Sequence, residues 1–236
     1  MATFTWLGGK ATGGDPNSAS AGANSSTTGA SDTAQPTPPC FAAGTRIGTL
    51  TGETAVESLA AGMRVRLANG GGAEIVWLGH RRVAGCRHPR PRDVQPVRIA
   101  AGTFGEGLPL RDLWLSPDHA VFVEGVLVPI RHLVNNTSII QEVCDSITYW
   151  HVELAQHDVI LAEGLPCESF LDTGNRSAFA NGGTVVQAHP DFARRHWDGA
   201  ACAPLVVGGP ELDQVRKVLR ARRRRAASRR RTSEGR

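Results

Sequence analysis

No apolar run in this chain approaches the length of a membrane span, which argues against a helical integral membrane protein. The opening Met1-Ala2-Thr3-Phe4-Thr5-Trp6-Leu7 lacks both a basic n-region and a continuous apolar h-region. It therefore predicts no standard signal peptide and leaves a cytoplasmic or non-classically secreted protein as the expectation. Cysteine is sparse and unpaired in its spacing: Cys40, Cys86, Cys144, Cys167 and Cys202. An odd set without a CxxC predicts neither a disulfide framework nor a structural zinc site. Cys86-Arg87-His88 has no matching partner pair and reads as a loop rather than a metal site. No repeat of 20–50 residues is present, so solenoids and propellers are excluded. The arginine runs near the end, Arg222–Arg225 and Arg229–Arg231, have no interleaved aromatic for base stacking. They read as a solubilising tail in preference to a nucleic-acid or anionic-surface contact.

What is present divides the 236 residues into four stretches. Residues 8–39 are mostly Gly, Ser, Thr, Ala, Asn and Pro, too polar to offset their ordering entropy, so 1–39 is expected to be a disordered lead. Residues 40–180 have the texture of short β-branched runs between turn residues. Strands are predicted at Arg46–Leu50, Met63–Leu67, Glu74–Leu78, Val97–Ile99, His119–Val123, Val126–Val128, Ile147–Leu154 and Asp158–Ala162. Turns are predicted at Thr51-Gly52-Glu53, Asn69-Gly70-Gly71-Gly72 and Glu124-Gly125, and a break at His88–Arg92. The pattern predicts an all-β domain of barrel or horseshoe form. Residues 181–209 read as an irregular linker. In 210–236, Leu212, Val215, Val218 and Leu219 recur at helical spacing behind Pro210, which predicts a short amphipathic helix to about Arg225 and then a basic tail. The net charge of +4 is concentrated there.

Cys40 stands where the polar lead meets the domain. A cysteine is most often a small buried apolar residue. At this junction it is also placed to attack the peptide bond in front of it, given a base or a polarised target. Ser116-Pro117-Asp118-His119 puts a hydroxyl and an imidazole three residues apart at the entrance to a strand. The hydroxyl is expected to bond the scissile carbonyl, and the imidazole to protonate the departing amine. His157 follows the strand ending at Leu154.

In this order and spacing these elements resemble the Hint module of Hedgehog proteins and inteins. Cys40-Phe41 with Gly44-Thr45 is similar to the first splicing block. Leu113–Val123 is similar to the TxxH block, with Ser116 for the usual threonine. Tyr149–Leu154 and His157–Gly164 are similar to the last strand pair. Leu-Ser-Pro-Asp-His and Leu-Asp-Thr-Gly-Asn-Arg (171–176) resemble stretches of bacterial stand-alone Hint domains. The resemblance covers about residues 40–175. It implies a Hint-type horseshoe fold and autoproteolysis by an N–S acyl shift. Cys40 would attack the Pro39 carbonyl, and Ser116, His119 and secondarily His157 would assist. Water or another nucleophile would resolve the thioester, and no cofactor or metal would be needed.

Three departures narrow that expectation. The terminal His-Asn of inteins is replaced by Glu168-Ser169, which argues against full splicing. Pro39 precedes the nucleophile and restricts the backbone there. No acid stands near Gly79-His80, where the Hedgehog carboxylate would fall, which argues against sterol transfer. The alternatives are a catalytically silent Hint fold serving as a binding or display module, and a trans-acting cysteine peptidase using Cys40 and His119. The latter is disfavoured because a peptidase nucleophile more often starts a helix.

Overall fold

The computed structural model describes residues 38–172, 176–182 and 199–234, with side chains as far as 225. The expected lead before Pro38 and most of the expected linker lie outside the described residues. Thirteen strands are described, and their ladders are all antiparallel. They are β1 (Phe41–Ala42), β2 (Arg46–Thr49), β3 (Gly52–Ala55), β4 (Arg64–Arg66), β5 (Gly72–Val83), β6 (Val97–Ile99) and β7 (Leu113–Leu115). The series continues with β8 (Ala120–Val123), β9 (Val126–Pro129), β10 (Ile139–Gln141), β11 (Ile147–Leu154), β12 (Val159–Ala162) and β13 (Leu165–Glu168). The order is β10-β6-β7-β1-β11-β5-β4-β2-β12-β13-β8-β9, with β3 paired to β2. This is the expected all-β class.

The long strand β5 joins the two halves of the array. Its first residues pair with β4, Arg64 opposite Glu74, and the rest pairs with β11, from Ile75 opposite Leu154 to Val83 opposite Ile147. Alternation predicts the buried faces well where strands are long. In β11, Ile147, Tyr149, His151, Val152 and Leu154 are buried. Two hairpins turn on the same dipeptide. Glu124-Gly125 has φ of 52° and 81°, and Glu163-Gly164 has 48° and 76°. Positive φ at both central residues matches the twist of the flanking strands. Glutamate accepts this conformation at 163 because its carboxylate is tied down. Glu163 Oε1 accepts from the Arg46 N–H at 2.7 Å, and Oε2 accepts from Arg111 Nε at 2.5 Å.

The structure departs from the sequence expectations in defined places. Gly52–Ala55 is a strand, β3, where a turn is expected, because it completes a hairpin with β2. β5 extends past Leu78 to Val83 because β11 supplies a ladder along its whole length. The helix, α1 (Gly209–Glu234), continues through the arginines instead of ending near Arg225. Arginine and alanine are good helix formers, and nothing in 216–234 breaks the run. Leu212, Val215 and Leu219 bury into the main core with Ile130, Leu133 and Phe104. Arg216 donates to the His132 carbonyl at 2.8 and 3.1 Å. Arg222 pairs with Glu124 of the β8–β9 turn. No described helix is long and apolar enough to cross a membrane.

Candidate active site

The register of β1 dictates what surrounds Cys40. On one side Phe41 faces Leu115 of β7, so one further step sets Cys40 opposite Ser116. The two residues are bonded reciprocally: the Cys40 N–H donates to Ser116 Oγ at 2.8 Å, and the Ser116 N–H donates to the Cys40 carbonyl at 2.9 Å. On the other side Phe41 faces Trp150 of β11, so the same step sets Cys40 opposite His151. Cys40, Ser116, His119 and His151 are all fully buried.

The Ser116 hydroxyl differs from expectation. Its bonds run to the amide nitrogen of Cys40 and, as donor, to the Pro38 carbonyl at 3.2 Å, not to the Pro39 carbonyl. Register is the reason, since it places the serine level with Cys40. The hydroxyl thus grips the nitrogen side of the Pro39–Cys40 bond.

His119 follows a tight turn in which its N–H donates to the Ser116 carbonyl at 3.0 Å. Its ring lies 4.2 Å from Phe41 and stacks on His151 at 5.1 Å, centroid to centroid. Neither ring nitrogen of His119 or of His151 has a hydrogen-bond partner among the described residues. Burial holds both imidazoles neutral. It lowers His119 to about 3, although the backbones of Cys40 and Glu168 favour the charged ring, and it takes His151 well below the ordinary range. Burial likewise pushes the Cys40 thiol far up, against a weaker opposing influence of Arg81.

His157 joins this cluster through Glu168. Glu168 Oε1 accepts from the Ala120 N–H at 2.7 Å, next to His119, and Oε2 lies 3.7 Å from His157 Nε2. The other ring nitrogen, Nδ1, accepts from the Cys202 N–H at 3.1 Å. Two influences on the ring conflict. Burial lowers His157, but the Cys202 side chain and Glu168 outweigh it and raise the imidazole to about 9, which favours the charged ring. A proton on Nδ1 would instead break the Cys202 amide contact. The amide contact makes Nδ1 the acceptor and leaves Nε2 as the nitrogen that faces Glu168. Burial raises Glu168 as well, while His157 and the Ala120 amide oppose it. Ser169 closes the group, accepting from the Asp158 N–H at 3.0 Å through Oγ.

The sequence-predicted Cys40, Ser116 and His119 are therefore adjacent, and His157 lies one carboxylate further away. Sequence reasoning missed His151 as a site residue. Its signal was available, since it falls in phase with Ile147 and Tyr149 on the apolar face of an alternating strand. It also gave Glu168 no role beyond a mismatch. Nothing local marks that side chain; only the pairing of β13 with β8, Cys167 opposite Val121, brings it to His119. Among the described residues no group of three or more His, Cys, Asp or Glu is arranged to hold a metal ion. Chemically, the cluster is a buried thiol on a peptide bond whose nitrogen is hydrogen-bonded, beside neutral imidazoles able to exchange protons.

No curated protein matches. Solved structures that are similar include the MchDnaB-1 intein, at 16% identity and a TM-score of 0.41, covering 54% of this chain and 98% of that one. A bacterial intein-like domain from Clostridium thermocellum is similar at 14% identity and a TM-score of 0.35, covering 56% and 98%. A DnaB intein from Synechocystis sp. PCC 6803 is similar at 6% identity and a TM-score of 0.39, covering 56% and 99%. The model of the Hint domain family matches residues 39–174, more than half of the sequence, and the chain belongs to that family.

Proposed function

We propose that this domain cleaves its own chain once, at Pro39–Cys40, through a thioester. The observation that carries the reading is the hydrogen bond from the Cys40 N–H to Ser116 Oγ, with the His119 ring packed on Phe41, the next residue. In the first step the Cys40 sulfur attacks the Pro39 carbonyl carbon. The carbon–sulfur bond forms, the carbon–nitrogen bond breaks, and the Cys40 nitrogen gains a proton to leave as an amine. The thiol proton must be removed because burial keeps the sulfur protonated. A neutral His119 has a lone pair to take that proton and an N–H to give another, so the exchange needs no net charge in the buried site. Ser116 fixes the amide nitrogen during the transfer. Water or an added nucleophile then resolves the thioester, leaving a fragment that begins at Cys40.

Full splicing is not part of the proposal. Inteins release their C-terminal flank by cyclising an asparagine, and Ser169 has no side-chain amide to cyclise. A second reading, a silent Hint fold used for binding or display, draws support from the fully buried, protonated thiol and from Pro39, whose ring restricts the attacked peptide. Intact mass after incubation with dithiothreitol separates the two. Self-cleavage yields a fragment starting at Cys40 in the wild type and none in Cys40→Ala. An unchanged wild-type chain supports the silent reading.

A further inference from the structure

The β5–β11 ladder ends with Val83 opposite Ile147. Three residues past the two ends of the ladder, where one segment turns through 84–87, stand Cys86 and Cys144. The two segments do stay close there. A Cβ placed on Gly85 would stand 2.4 Å from the Cys144 carbonyl oxygen, so only glycine fits. The Cys86 thiol donates to that same carbonyl at 3.5 Å.

One buried side chain bridges the pair. Gln95 Oε1 accepts from the Cys144 N–H at 2.8 Å and from the Cys144 thiol at 3.2 Å. Gln95 Nε2 donates to the Cys144 carbonyl at 3.1 Å and lies 4.0 Å from Cys86 Sγ. Both cysteines are free thiols. A disulfide joins Cα atoms roughly 4.4–6.8 Å apart, and the Cys86 thiol already rests against the Cys144 backbone.

We propose that Cys86 and Cys144 form a reversible disulfide that clamps the open end of the β5–β11 pair when a small disulfide such as oxidised glutathione is present. Cys86 is exposed and Cys144 half-buried, which orders the steps. The Cys86 thiolate attacks one sulfur of the oxidised glutathione, forming a mixed disulfide and releasing one glutathione thiolate. The Cys144 sulfur then leaves Gln95 Oε1 and attacks Cys86 Sγ, releasing the second glutathione. Two protein thiols lose their protons and two electrons pass to the glutathione, so the exchange balances. Burial pushes the Cys144 thiol up to about 11, with Cys86, Asp145 and Glu142 adding, so the second step is the slower one. Cys40 and Cys167 are buried and out of the oxidant's reach. The clamp bears on the site because Cys144 packs against the cluster that contains Cys40, Val83, Ile147 and Tyr149. The bond itself does not depend on the cleavage reading.

The test uses the full chain treated with oxidised glutathione, alkylated, and digested without reduction. The expected result is a linked pair of Cys86 and Cys144 peptides that dithiothreitol separates. The thermal midpoint of the oxidised protein should rise by about 5 °C or more, because the bridge closes a long loop in the unfolded chain. Cys86→Ser and Cys144→Ser should each lose both the linked peptides and the rise. Glutathione persisting on Cys86 with Cys144 fully alkylated would overturn the proposal. So would Cys86 linked to Cys202, or a linked pair with no change in midpoint.

Discussion

A neutral imidazole buried against a peptide group holds one proton to give and one lone pair to take another. His119 is such a group, held neutral by its burial and packed against Phe41, the residue after Cys40. General acid–base help is worth about 10²–10⁴-fold. His119→Ala is therefore expected to slow thiol-induced cleavage by at least about two orders of magnitude. His157→Ala should lose less, because the Glu168 carboxylate stands between that ring and His119. Cleavage rates of the two variants, with circular dichroism as the folding control, check the order. A folded His157→Ala more damaged than His119→Ala would reverse the assignment. At this scale the sequence was informative where chemistry and spacing coincide, as at Ser116 and His119. It misdirected the Ser116 hydroxyl to the scissile carbonyl, because the direction follows from the β1–β7 register and not from any local motif.

At the scale of elements, the two Glu-Gly turns differ in what holds them. Glu124 sits exposed in its turn and pairs with Arg222 of α1. Glu163 is buried, bonded to Arg46 and Arg111, and also keeps a positive φ. Glu163→Ala removes both acceptors, leaves the Arg46 N–H without that partner, and puts a Cβ without compensation at φ 48°. A loss of about 1–3 kcal/mol is expected, measured by urea denaturation. A change within about 0.5 kcal/mol, the range of ordinary surface substitutions, would show that the carboxylate does not hold the hairpin. Legibility at this scale followed length. Ile147–Leu154 was read at its observed bounds because alternation is clear over its eight residues. Leu113–Leu115, Ile139–Gln141 and Leu165–Glu168 are three or four residues long, and Pro166 interrupts the last, so periodicity has too little to work on. Their pairing is set by partners distant in sequence, and that non-local pairing also assembles the site.

For the whole molecule, buried neutral histidines couple folding to pH. His119 titrates near 3 in the folded chain against about 6.5 for an unperturbed imidazole, and His151 is shifted in the same direction. Between those values the unfolded chain binds protons that the folded chain does not. Stability contributed by keeping these rings neutral is thus complete above about pH 6.5 and is lost as the pH falls toward about 3. Urea midpoints measured from pH 7 to pH 4 should decline, and His119→Gln should decline less steeply. Equal slopes in the two proteins would remove His119 from the account.

The claim that matters most is that the Pro39–Cys40 bond passes through a thioester, and hydroxylamine tests it most directly. A thioester at this bond is captured by hydroxylamine as a hydroxamate on Pro39. The account predicts that wild-type protein incubated with hydroxylamine at neutral pH gives two species by intact mass, a lead peptide ending in the Pro39 hydroxamate and a fragment beginning with a free Cys40 amine. Cys40→Ala should give neither. A wild-type chain that keeps its full mass, or one cut equally in Cys40→Ala, would contradict it.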